Sequence, residues 1–263
     1  MNEILKNNNV TIKGKGDQAI LFAHGYGCDS NMWRFVAPAF YDEYQVILFD
    51  HIGAGKSDTS RYDREKYALL DGYAADVIEI CKALDLKEVI FVGHSVSAMI
   101  GALAVNQAPA YFSKLVLLGP SPRYINDGPY IGGFNQEDIE GLLESLESNY
   151  LGWSSTMAPM IMGNADRPEL GKELANSFCK MDPEIAKHFA RTTFLSDNRA
   201  DLPKVKIPTL ILQCSEDIIA SEVVGKYVNE QIPYSSIIFM KATGHCPNLS
   251  APEETIAEIK KFL

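Results

Sequence analysis

Ser95 stands in Gly93-His94-Ser95-Val96-Ser97, after an apolar run and before a segment of small apolar residues. A serine hydroxyl is a weak nucleophile at neutral pH unless a neighbouring base takes its proton. The pattern G-x-S-x-G at a strand-to-helix turn meets that need, because the sharp turn lifts the serine oxygen clear of the sheet and small flanking residues let strand and helix approach. The final glycine is replaced here by Ser97, still small, so the context predicts Ser95 as nucleophile. His94, its neighbour on a sharp turn, must point another way and is expected to be structural.

Five histidines are available as base: His24, His51, His94, His188 and His245. His245 lies in Ala242-Thr243-Gly244-His245-Cys246-Pro247, between a last apolar run and a last helical segment. Strand-to-helix nucleophile turns of this kind carry their partners in the order serine, acid, histidine, and only His245 has that position. The acid should follow the apolar run Thr209-Cys214. Ser215-Glu216-Asp217-Ile218-Ile219 offers two carboxylates, of which Asp217 is preferred over Glu216. Its role would be to hold the imidazole tautomer that accepts the serine proton. His24-Gly25-Tyr26-Gly27 follows an early strand and supplies a turn whose backbone can face the site. The N–H groups of Tyr26 and Val96 are the expected oxyanion donors.

These residues must be positioned by short strands. Ala19-Ala23, Gln45-Phe49, Glu88-Val92, Leu115-Leu118, Thr209-Leu212 and Ser236-Met240 are near-continuous apolar runs, as expected of parallel strands buried on both faces. Helical spacing runs from Leu70 to Leu84 and from Val96 to Gln107, and a last helix opens near Ser250 with Pro252. The alternation predicts an α/β fold. With the serine, acid and histidine at its loops, the class is the α/β-hydrolase fold, a mostly parallel doubly wound sheet with a helical lid insertion. The lid is expected over residues 125–198, where no strand is evident and amphipathic pieces such as Gln136-Tyr150 and Pro168-Cys179 occur. That length exceeds one crossover connection. Residues 1–124 and 199–263 would form the hydrolase core.

Composition narrows the function classes. Hydrophobic residues make up 46% and charged residues 22%, which suits a globular enzyme. The net charge of -10 and the lack of a Lys/Arg cluster disfavour nucleic acid. No apolar stretch is long enough to span a bilayer, and the first residues lack the apolar core of a signal peptide. Five cysteines without a C-x-x-C suit reduced thiols and a cytoplasmic location. No cofactor is expected, and no cluster has metal-ligand spacing. Gly53-Ala54-Gly55-Lys56-Ser57 has the wrong glycine spacing for a phosphate loop and is expected to be a stabilising turn.

With the motifs placed, the chain resembles the RsbQ family of bacterial stress-signalling hydrolases. Gly93-His94-Ser95-Val96-Ser97-Ala98-Met99-Ile100-Gly101 looks like that family's elbow, which the plant karrikin and strigolactone receptor hydrolases share. Gly119-Pro120-Ser121-Pro122-Arg123-Tyr124, Asn149-Tyr150-Leu151-Gly152-Trp153 and Gly244-His245-Cys246-Pro247 also fit. The resemblance implies a four-helix lid over a closed, mostly apolar pocket. Positions matching its pocket are Tyr26, Tyr124, Phe134, Leu142 and Trp153, with Met157, Phe194, Ile218 and Ile219. Tyr26 departs from the phenylalanine usual there. The resemblance further implies a small hydrophobic ester- or lactone-like substrate and a partner, a PAS-domain serine phosphatase of the RsbP type. A metabolic esterase without a partner, and a ligand-binding module in which hydrolysis is incidental, are the competing expectations.

Overall fold

The computed structural model describes residues 2–263. A seven-stranded sheet runs through the centre. Its strands are β1 (Thr11–Lys13), β2 (Ala19–Ala23), β3 (Gln45–Leu48), β4 (Val89–His94), β5 (Phe112–Leu118), β6 (Thr209–Ser215) and β7 (Ser235–Thr243). They lie in the order β1-β3-β2-β4-β5-β6-β7. All pairs are parallel except β1 with β3. This is the α/β-hydrolase fold, with its sheet flanked by helices.

The apolar runs became the central strands because each is covered on both faces. Every residue of β2 and β4 is buried. The helices are α1 (Glu3–Asn7), α2 (Leu70–Ala83), α3 (Val96–Gln107), α4 (Gln136–Ser148), α5 (Tyr150–Met162), α6 (Pro168–Phe178), α7 (Pro183–Phe194), α8 (Glu222–Gln231), α9 (Pro247–Ser250) and α10 (Pro252–Phe262). Helix α3 is buried from Val96 through Val105, which its small residues Ser97, Ala98, Gly101 and Ala102 make possible. It starts at the nucleophile turn and packs beneath the sheet, so the turn is gripped from both sides.

Several elements left no signal in the sequence, strand β1 and helices α1 and α8 among them. Strand β1 is three exposed residues with no apolar signature. Helix α8 buries little beyond Val224, Gly225 and Val228, yet the parallel pair β6–β7 requires a crossover between them. Between β5 and β6 the chain forms α4 to α7 and no named strand. Asn149 caps α5 by accepting from the Gly152 N–H at 3.0 Å, and Asp182 caps α7 by accepting from Glu184 and Ile185 at 2.9 and 3.1 Å. Among the described residues no helix is long and apolar enough to cross a membrane, and no acidic, histidine and cysteine group could hold a metal ion.

Candidate active site

Ser95 follows β4 and precedes α3 with φ 57° and ψ -123°. A non-glycine residue in this region is strained by about 1–3 kcal/mol and persists only where its surroundings impose it. Here the Ser95 N–H donates to the Leu118 carbonyl at 2.8 Å, fixing the turn to the end of β5. The hydroxyl then faces the loop after β7. Ser95 Oγ donates to His245 Nε2 at 2.7 Å, and His245 Nδ1 donates to Asp217 Oδ2 at 2.7 Å. All three residues are buried.

Asp217 is held from its other oxygen. Oδ1 accepts from the Ile219 and Ala220 N–H groups at 2.9 and 3.0 Å. This turn decides between the two carboxylates offered by the sequence, since only Asp217 reaches the imidazole. It also separates Ile218 from Ile219. Ile219 is buried on the cavity wall, while Ile218 is 45% exposed on the far side of the turn.

His245 is fixed by its backbone. Its N–H donates to the Ile161 carbonyl of α5 at 3.0 Å, and its carbonyl accepts from His94 Nε2 at 2.7 Å. His94 is therefore structural, as its place on the turn required. Burial pushes its pKa down to about 3, so the ring stays neutral. Gly119 makes room for the pair. A Cβ there would meet His245 Cε1 at 3.1 Å and Asp217 Oδ2 at 3.4 Å, and its φ of +55° suits glycine. In the sequence, a lone glycine after a strand gives no signal of what it stands beside.

The loop after β2 closes over the serine. A Cβ on Gly25 would meet Ser95 Cβ at 3.3 Å and His94 Nδ1 at 2.7 Å, so only glycine fits this approach. A buried polar set holds the loop there. His51 Nε2 donates to Ser97 Oγ at 2.7 Å, and Ser97 Oγ donates to the His24 carbonyl at 2.5 Å. His24 Nδ1 donates to the Gly25 carbonyl at 2.9 Å, and its Nε2 accepts from the His51 N–H at 3.0 Å. Ser97, the residue in place of the motif's last glycine, thus ties helix α3 to this loop. Val96 heads α3, so its N–H has no intrahelical acceptor.

Above Ser95 lies a cavity of about 30 Å³, room for roughly one water molecule. Of the positions that the family resemblance implies, Tyr26, Tyr124, Trp153, Phe194 and Ile219 line it. Phe134, Leu142 and Met157 do not; they are half-buried and pack around the core behind that wall, and Ile218 faces away. The small size of the cavity accounts for part of the difference, because only the innermost layer of side chains touches it. Ile161, Leu174, Phe178 and Thr193 replace them. Cys28 and Cys246 also border it, but burial raises both thiols, Cys28 to about 12, which leaves them inert as nucleophiles. The Gly-Lys-Ser segment is a turn knit by Asp50, whose carboxylate accepts from Ser30 and Lys56 N–H groups at 2.7 and 2.9 Å.

Residues 20–259 match the model of the alpha/beta hydrolase family. The chain belongs to the alpha/beta hydrolase family. Within it, the chain is 40% identical to the karrikin insensitive 2 receptor CA of Petunia hybrida over 97% of its own length and 95% of that protein's. It is 37% identical to the strigolactone esterase D14 of Arabidopsis thaliana, covering 99% of this chain and 96% of that one. A solved hydrolase from Oleispira antarctica superposes with a TM-score of 0.96 at 41% identity, over 99% of this chain and 96% of that one. This alpha/beta hydrolase is an enzyme whose Ser95, His245 and Asp217 form a hydrogen-bonded Ser-Asp-His triad.

Proposed function

We propose that the chain hydrolyses a small, mostly apolar ester or lactone. The observation that carries this is the unbroken chain of hydrogen bonds from Ser95 through His245 to Asp217 on the floor of an apolar cavity. Ser95 Oγ attacks the carbonyl carbon while its proton passes to His245 Nε2. The resulting oxyanion accepts from the Tyr26 and Val96 N–H groups; the close approach of the Gly25 loop to Ser95 and the place of Val96 at the head of α3 support this. The imidazolium, stabilised by Asp217, returns the proton to the leaving alkoxide oxygen as the C–O bond breaks. Water then attacks the acyl-serine, with His245 taking its proton and returning it to Ser95 Oγ as the acyl C–O bond breaks, and the acid departs. In a lactone the alcohol stays tethered to the acid. The segment 125–198 acts as a lid that roofs this site and selects by shape.

The test is labelling with a sulfonyl fluoride, followed by peptide mapping and by turnover of short nitrophenyl esters in wild type and Ser95→Ala. Label on Ser95 and loss of turnover in the variant support the reading; label elsewhere, with turnover retained, overturns it.

We further propose that this hydrolysis serves signalling through a PAS-domain serine phosphatase. The support is the motif resemblance to the RsbQ family and the kinship to a karrikin receptor and a strigolactone esterase. Wild-type protein should restore an energy-stress response to a deletion strain and Ser95→Ala should not. Full restoration by Ser95→Ala would make the protein a binding module; a normal response in the deletion strain would make it a metabolic esterase.

A further inference from the structure

The loop His24-Gly25-Tyr26 closes over Ser95, and it is held by buried residues that do not border the cavity. The Gly25 carbonyl accepts from His24 Nδ1 at 2.9 Å. That carbonyl and the Tyr26 N–H belong to one peptide group, which is planar and trans, so the two bonds point in opposite directions. Fixing the carbonyl therefore fixes where the Tyr26 N–H points.

His24 is itself gripped twice, and both grips start at His51. The His51 N–H donates to His24 Nε2 at 3.0 Å, which leaves the His24 proton on Nδ1, the atom that faces the Gly25 carbonyl. The second grip runs through Ser97, whose Oγ bonds the His24 carbonyl at 2.5 Å. A carbonyl only accepts, so the single hydroxyl proton of Ser97 lies on that bond. The Ser97 oxygen must then accept from His51 Nε2, 2.7 Å away. The His51 proton is thus on Nε2, which agrees with a bare Nδ1 that has no partner. Burial lowers the pKa of both rings, so one arrangement of protons satisfies the set. Burying a serine and two histidines is costly unless each is bonded. Here the bonds converge on one peptide group beside the nucleophile. Ser97 stands where the elbow pattern has glycine, which could make no such bond.

We propose that Ser97 and His51 are positioning residues for the oxyanion: through His24 they set the plane of the Gly25-Tyr26 peptide and so aim the Tyr26 N–H at the place where negative charge develops. This rests on the hydrolytic reading above. Neither side chain borders the cavity, so neither touches the substrate. Their effect falls on the transition state, because a donor turned slightly astray still admits the ester but serves the oxyanion poorly.

The experiment compares Ser97→Ala, Ser97→Thr, His51→Leu and His51→Gln with wild type. Each is read for kcat and KM on nitrophenyl acetate, and for the Ki of a short trifluoromethyl ketone against that of the matching methyl ketone. The fluorinated ketone adds to Ser95 Oγ, its oxygen becoming an oxyanion while the serine proton passes to His245. The methyl ketone binds without adding, so the ratio of the two Ki values isolates the oxyanion site. Ser97→Ala and His51→Leu should each lower kcat about ten- to hundredfold, as small misplacements do, with KM little changed and the Ki ratio reduced to match. Ser97→Thr keeps the hydroxyl and His51→Gln keeps an N–H donor, so both should recover most of the loss. The double variant Ser97→Ala/His51→Leu should be little worse than either, since the two residues form one chain of bonds. Should Ser97→Ala fail to fold, the two His51 variants give the same reading. Variants that melt earlier yet keep the wild-type kcat and Ki ratio would show that the set only packs the loop, and would overturn the proposal. Absence of turnover by wild type, or turnover unaffected by Ser95→Ala, would instead overturn the hydrolytic reading beneath it.

Discussion

The Tyr26 hydroxyl donates to the Ala186 carbonyl of α7 at 3.1 Å. One residue thereby joins the loop above Ser95 to a helix of the insertion, and its ring packs among Trp153, Phe178, Phe189 and Phe194 with centroids 5.6–6.3 Å away. Tyr26→Phe keeps the ring and removes the tie. It should lower stability by about 0.5–1.5 kcal/mol and raise the turnover of bulky esters relative to acetate. Thermal unfolding and an ester-size series measure both; an unchanged size profile would mean that the bond only secures the loop.

Ser95, His245 and Asp217 should behave as a unit. Ser95→Ala and His245→Ala should each reduce kcat by at least about 10³-fold, and the double variant should be barely slower than either. Multiplicative losses in the double variant would show that the two residues act on separate steps.

Gly119→Ala probes the space behind the base. The added methyl meets the imidazole at 3.1 Å and adopts a φ of +55°. The conformation costs about 1–2 kcal/mol, and displacing His245 should cost a further ten- to hundredfold in kcat, of the order known for small misplacements of reacting groups. KM should move much less. A variant as active as wild type would show that the imidazole has slack the packing does not suggest.

Acid should destabilise the fold through its buried histidines. His24, His51 and His94 are all held neutral, chiefly by desolvation on burial, His94 at about 3. Unfolded, each would bind a proton near its ordinary pKa of about 6.5. As the pH falls below that value the unfolded state takes up protons and the folded state does not, so stability present above about pH 6.5 is lost on the way down. Each histidine contributes a slope of up to about 1.4 kcal/mol per pH unit. Urea unfolding across this range should show the decline, and His94→Gln should flatten it by about one histidine's share. A curve flat through the range would mean that these rings are already protonated in the fold.

The triad could be read from the sequence because each member ends a strand or its following loop, and apolar runs mark strand ends sharply. The choice of Asp217 over Glu216 was of another kind. The sequence offers both, and an Asx turn of two N–H groups onto Oδ1 makes the selection. Ser97 looked like a tolerated replacement in the motif; its bonds to His24 and His51 arise from residues 73 and 46 positions away in the chain. The pocket was legible only as a region. Trp153 and Phe194 line it while Met157 and Leu142 do not, because the packing of helices α4 to α7, not spacing, determines which side chain reaches the innermost layer. Helix α8 has a short apolar stripe and was invisible until the parallel pairing of β6 and β7 demanded it.

The cavity over Ser95 holds about 30 Å³, whereas sites for small organic ligands usually enclose roughly 300–1,000 Å³. A substrate larger than this space would be bound only by the fraction of molecules whose helices have parted. Apparent affinity is the intrinsic affinity scaled down by that fraction. An enzyme populated at one part in a hundred open would bind a hundredfold more weakly than its pocket allows, and would gain that factor back from any contact that favours the parted form. The Ile161 carbonyl of α5 also anchors the His245 N–H at 3.0 Å, so any movement of α5 that widened the cavity would also bear on the position of the base.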